Sequence, residues 1–239
     1  LPKLDLPKET PITAPVVREI LGPDAESVAL AWRFPGAADK DVETLQVVSQ
    51  ILYNGQAGLI DLDLTQQQKT LSAYCYPMTM SDYSAFMMQG RPKQGQTLDE
   101  VKDLLLGELK KLREGDFDEK MLEANINNFK LYQMQQLENN DARADMFVES
   151  FVNGSDWADE VTALDRMSKL TKDDIVAFAN KYLKDDNYAV IYKKQGKDPN
   201  EKKMSKPEIT PIVMNRDTVS TFLKEIQASV VTPIGQVFP

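Results

Sequence analysis

With 239 residues, 42% hydrophobic and 27% charged, the chain is long enough for one large or two small domains and has an ordinary globular composition. Asp and Glu number 37 against 28 Lys and Arg, a formal net charge of −9 without a basic run, which excludes the pattern that nucleic acid and anionic membrane reward. There is no histidine, so no imidazole activates a Ser or Cys nucleophile and none ligates zinc.

Residues 1–15 carry Pro2, Pro7, Pro11 and Pro15, a spacing that prevents helix and predicts an extended linker. The opening LPKLDLPKET has neither an initiator Met nor a signal-peptide pattern and reads as the start of a processed or excised piece. No apolar stretch approaches the ~18 residues of a membrane span. Residues 16–22 give a slight strand signal. Residues 28–34, with β-branched and aromatic members, predict a strand that Pro35-Gly36 ends. Residues 39–53 follow as a helix with Val42, Leu45, Val48, Ser49, Ile51 and Leu52 inward. Asp39, Asp41 and Glu43 sit in its first turn, at the positive end of the helix dipole.

The stretch Gly55-Gln56-Ala57-Gly58 lacks the Lys and Ser/Thr of a phosphate loop and reads as a turn. The run LIDLDL, residues 59–64, alternates like a strand, but its continuation TQQQK argues for the helix expected here. Asp61 and Asp63 lack the glycine and further ligands of a calcium loop, so a solvated helix face is expected of them. Residues 71–78 and 83–90 predict an antiparallel hairpin. Cys75 within it is expected as a buried thiol acting as a small hydrophobe. Met78, Met80, Met87 and Met88 are expected mainly as core filling, with an adaptable peptide-binding surface as the alternative.

A helical half begins at Thr97, where Thr97 and Glu100 fit a capping box, and ends its first helix at Gly115. A second helix over residues 118–137 carries Leu122, Ile126, Phe129 and Tyr132 on one side. A third, over 140–152, is expected to bury Ala144, Phe147, Val148 and Phe151 and to stop at Gly154. Ser155 is expected to cap a short helix with Trp157, Val161 and Leu164. Thr171 and Asp174 cap the next, whose Ile175, Phe178, Ala179, Tyr182 and Leu183 fall at helical spacing. Residues 188–192 predict a last strand beside the first ones. Residues 196–211, rich in Lys and Pro, read as linker, followed by a short amphipathic helix with Phe222, Leu223 and Ile226 and an extended tail.

Glu138, Asp141 and Asp145 stand three and four apart, a spacing that suits calcium or acid/base chemistry, but a wet acidic face is the expectation. Asn153-Gly154-Ser155 matches a glycosylation sequon, a pattern common by chance.

Several of these segments together resemble a known family. The order is a strand, Pro-Gly, an acidic helix start, then L-x-V-x-x-x-I-L-x-x-G from Leu45 to Gly55 and a Leu-rich segment. Later comes KLTKDDIVAFANKYL, residues 169–183, with a strand-like run after it. This order resembles a non-catalytic domain of the M16 (pitrilysin/insulinase-like) zinc metallopeptidases over about residues 16–194. The resemblance implies an α+β fold, an antiparallel (mixed) sheet covered by a layer of helices, of the LuxS/MPP-like kind. It implies a linker at 1–15, the domain at 16–195, and at 196–239 a connector with a short helix leading to another domain.

Active M16 domains carry H-x-x-E-H on the helix after the first strand, with a glutamate ligand far downstream. The matching helix, DKDVETLQVVSQILY, offers no such set. The resemblance therefore implies no catalytic and no metal-binding residue in this chain, and zinc in the catalytic domain of a parent metalloendopeptidase. Its implied partners are other M16 domains of that parent and a peptide substrate, which the chain encloses in a chamber; it names no substrate-binding residue. Acidic net charge favours cationic peptides within the ~8 Å screening length of physiological salt. Some relatives pair an arginine with a tyrosine two helical turns away to polarise the scissile carbonyl; after Arg143, residues 149–151 hold no tyrosine. The alternative role is an M16-like scaffold or assembly subunit without proteolysis. Bacterial relatives imply a periplasmic or envelope setting.

Overall fold

The computed structural model describes residues 8–199, 205–210, 218–229 and 235. Tertiary contacts divide the chain into two units, residues 1–199 and 200–239. The first holds strands β1 (Val16–Gly22), β2 (Ser27–Pro35), β3 (Ser72–Met78), β4 (Tyr83–Arg91) and β5 (Tyr188–Gln195). Its helices are α1 (Lys40–Leu52), α2 (Leu98–Glu114), α3 (Glu119–Leu137), α4 (Asn140–Asn153), α5 (Trp157–Met167) and α6 (Lys172–Tyr182). The second unit holds α7 (Thr221–Ala228), capped by Ser220, with Phe222 and Ile226 exposed. The expected tail over residues 230–239 and the linker positions 200–204 and 211 lie outside the described residues, Gly235 excepted, as do Pro2 and Pro7.

Strand alternation sets which side of the sheet faces inward. Val28, Leu30, Trp32 and Phe34 of β2, Phe86 and Met88 of β4, and Tyr188 and Val190 of β5 point into one core. The sheet runs in the order β1-β5-β2-β4-β3, with β1 and β5 parallel and the remaining pairs antiparallel. The last strand in sequence thus lies between the first two. Trp32 secures that insertion: its indole donates to the Lys184 carbonyl at 3.0 Å and its ring stacks on Tyr188. The sheet is mixed and helices cover one face of it, the α+β plan expected.

Leu45, Val48, Ile51 and Leu52 of α1, Val101, Leu105, Leu109 and Leu112 of α2, and Ile175 and Ala179 of α6 complete the core. Each fully buried Val, Leu or Ile side chain among them stabilises by roughly 1.5–3 kcal/mol. The capping boxes at Thr97/Glu100 and Thr171/Asp174 both form, and Gly115 closes α2 in the left-handed conformation at φ 73°. At Gly36 a Cβ would meet the Ser81 carbonyl at 2.0 Å, so only glycine lets the β2–α1 turn lie on the β3–β4 turn.

Four expectations are corrected. Residues 59–65 are helical, with Asp61–Thr65 wound as a π-helix, but Asp61 is buried rather than on a solvated face. Its carboxylate accepts from the amides of Asn54, Gly55 and Gly58 at 3.0, 3.1 and 2.9 Å, filling the glycine turn from within. Asp156, not Ser155, caps α5, because the Ser155 hydroxyl is turned onto Glu160 and the Ser150 carbonyl. Of the four methionines only Met88 is core; Met78 and Met80 are exposed at the hairpin end. Finally, α4 exposes Phe147, Val148 and Phe151, and Ser150 is its buried residue. The helix is amphipathic, but it packs by the side opposite to its apolar stripe.

Candidate functional site

The helix after β2 is where the resemblance looks for metal-holding groups, and α1 fills that place with side chains already engaged. Asp39 accepts from the Asp41 amide at 2.8 Å as N-cap. Asp41 takes a bond from Lys181 Nζ at 2.8 Å and another from the Tyr182 hydroxyl, both from α6. Burial works to raise the Asp41 pKa, but those two donors outweigh it and hold the carboxyl below its ordinary value. Glu43 receives Arg166 of α5 side-on, Nε to Oε2 at 3.0 Å and Nη2 to Oε1. Arg166 in turn donates to the Asp159 carbonyl at 2.6 Å and to Thr162. Lys40 lies 3.3 Å from Asp159.

Of these side chains, Asp39, Lys40, Glu43 and Asp159 border a groove of about 260 Å³ between α1 and the α3–α5 layer. Val42, Phe129, Tyr132, Met146 and Leu164 make its apolar lining; Glu43, Asp159 and Glu160 make its acidic border. Deeper in the unit, Asp63 and buried Glu108 share Lys111, at 2.7 and 3.1 Å. Burial raises the Glu108 pKa in spite of that lysine. Cys75 lies in the core, where burial pushes its thiol far up and its hydrogen faces the Ser49 carbonyl.

The arrangement suits packing and binding more than bond cleavage. The α1 carboxylates are engaged by fixed partners, and the buried thiol is no nucleophile. Among the described residues no group of three or more His, Cys, Asp or Glu is placed to hold a metal ion. Acids fixed in capping and ion pairs, on a chain without imidazole, do not fit a zinc centre. Among the described residues, no helix is long and apolar enough to cross a membrane.

Of the residues singled out in sequence, Glu138, Asp141 and Asp145 are all exposed and form no such group. Asn153 meets the Ser81 hydroxyl at 3.4 Å, and Gly154 is the left-handed cap of α4. Arg143 donates to the Asn140 side chain, one turn back on its own helix. The pairs Arg166–Glu43 and Lys181–Asp41 escaped sequence reading. They join segments more than 120 residues apart, and periodicity within one helix carries no signal for them.

A family model described as the peptidase M16 inactive domain matches residues 1–129. Among curated proteins, the zinc protease PqqE of Helicobacter pylori is 24% identical over 194 residues, 81% of this chain and 43% of its own. A solved structure of a protease from Helicobacter pylori superposes with a TM-score of 0.75 at 20% identity, over 80% of this chain and 47% of that one. A peptidase M16 inactive domain from Pseudomonas fluorescens follows at 0.70 and 16%, over 82% and 47%. The chain spans about half the length of these relatives, and at such identities the solved structures establish a shared fold.

Proposed function

Because this chain belongs to the M16 peptidase family as an inactive domain, we propose that it acts without chemistry of its own, as a wall of a substrate-enclosing chamber in a larger zinc peptidase. The catalytic domain of that parent holds the zinc and cuts the peptide. This domain, residues 16–195, backs it and limits what fits inside, and residues 196–239 serve as connector.

The observation that carries the reading is the state of α1. Where an active relative would present metal ligands, this helix presents an N-cap, an aspartate held by Lys181 and Tyr182, and a glutamate held by Arg166. Replacing ligands by internal ion pairs keeps the helix anchored while removing the reactive centre.

The test uses the purified chain alone and mixed with the catalytic portion of the parent. Alone, it binds no stoichiometric zinc and cleaves no peptide; added to the catalytic portion, it raises turnover of short peptides. Chelator-sensitive cleavage by this chain alone overturns the proposal. So does a catalytic portion whose activity and size preference are the same with and without it, the outcome expected of an assembly scaffold.

A further inference from the structure

The apolar stripe that α4 turns outward is a feature left without a role. Ala144, Phe147 and Phe151 form one row by their helical spacing, and Val148 and Val152 the row beside it. Phe151 is 87% exposed, and Phe147 lies against Trp157 of α5 with ring centroids 4.2 Å apart. At the far end the Ser81 hydroxyl donates to the Val152 carbonyl at 3.4 Å, which brings the β3–β4 turn with exposed Met80 alongside. An apolar surface of this kind, flanked by polar residues, marks an interaction site.

The charges around it select the occupant. Asp141 and Asp145 share the row of Val148 and Val152, with Glu149 next to them. Between residues 130 and 166 there are eight acids and three bases, and one of those bases, Arg166, is bound to Glu43. A second copy pairing through the same face would set this acidic border against itself. A segment in which Lys or Arg alternates with apolar residues complements it on both counts. Its apolar side chains cover the stripe, its cations meet the carboxylates, and the Phe151 and Trp157 rings attract cations as well.

We infer that the α4–α5 face is a docking surface for a cationic, apolar peptide segment, with Phe147, Phe151 and Trp157 as its apolar floor and Asp141, Asp145 and Glu149 as its charged border. This rests on the chamber reading, since it names the class of peptide that such a wall would hold.

The chain carries its own reporter. Of its two tryptophans, Trp32 is buried at 1% exposure and Trp157 stands in the proposed surface. The full 239-residue chain is titrated with a synthetic peptide alternating Lys and Leu, and with its Glu/Leu counterpart. The Lys peptide shifts the Trp157 emission to the blue with saturation, and its affinity falls at least tenfold as salt is raised to 1 M, where screening shortens to ~3 Å. The Glu peptide gives no saturable shift. Phe151→Ser, at a side chain with almost no native packing, weakens the Lys peptide tenfold or more while the circular dichroism stays unchanged. Asp145→Lys with Glu149→Lys reverses the preference.

Equal binding of the two peptides, or no response to the Lys peptide, overturns the inference. So does an emission shift that appears with protein concentration alone, together with a dimer mass in light scattering. A failure here beside intact stimulation of the catalytic portion refutes the surface and spares the chamber role; peptide binding without that stimulation does the reverse.

Discussion

Arg166 on α5 closes on Glu43 on α1 through two parallel hydrogen bonds, across 123 residues of chain. Both side chains are more than two-thirds withdrawn from solvent, so the pair fastens the outer helical layer to the helix that lies on the sheet. Removing the guanidinium leaves Glu43 half-buried and unpaired, which costs more than the pair contributes by itself. Arg166→Ala is expected to lower stability by about 1–3 kcal/mol in urea unfolding. The double variant with Glu43→Gln loses less than the two single losses added together.

Asp61 is the internal ligand of the Asn54–Gly58 turn. The residue is 5% exposed, and its carboxylate satisfies three backbone amides at once. Asp61→Ala strands those donors in the interior and is expected to cost ~3 kcal/mol or more, with Asp61→Asn intermediate, since all three amides converge on one oxygen, which a side-chain amide can supply but without the charge. Amide exchange at Gly55 and Gly58 should accelerate in both variants, which separates a local opening from general destabilisation.

Local chemistry made most of the scaffold readable. The two capping boxes, the strand runs of β2 and β4, and the glycine stops at Gly115 and Gly154 each depend on residues close in sequence, and each appears where expected. Asp61 departs from its expected solvated face because its amide donors lie in a loop whose closure depends on tertiary packing. The stripe of α4 departs from expectation for a different reason. Helical spacing identifies an apolar face but not what covers it, and the buried residue of α4 is Ser150 instead. The ion pairs that occupy the α1 region join remote segments. Of the site, sequence alone shows which residue types are missing, the imidazoles above all.

Asp41 gives the fold an acid limb. Its pKa in the folded chain lies below the ordinary 3.8 because Lys181 and Tyr182, donating to the ionised carboxylate, outweigh the opposing effect of burial. A carboxyl depressed by folding stabilises at pH values above its unfolded pKa, and that contribution is lost as pH falls through the lower folded value. Glu100 and Asp174, each depressed by bonds from its capping threonine, act in the same direction. Stability is therefore expected to decline below about pH 4. Asp41→Asn should flatten that decline, while leaving the protein less stable than the parent at pH 7. A decline of unchanged steepness in the variant would remove Asp41 from the account.

Cys75 offers a chemical clock for opening of the core. It lies on β3, buried against α1, its thiol pKa is driven far upward by burial, and its hydrogen is directed at the Ser49 carbonyl. Reaction requires a thiolate and a path for the reagent, and the native fold denies both. An aromatic disulfide reagent at pH 8 is expected to leave the native chain unlabelled over the time in which a free thiol reacts completely, and to label it at once in denaturant. Because Cys75 contacts the sheet and α1 together, Arg166→Ala should speed native-state labelling only as far as it lowers global stability. Asp61→Ala, which opens the turn directly after α1, should speed it further than its stability loss predicts, and equal acceleration at matched stability would show that this turn and the core open as one unit.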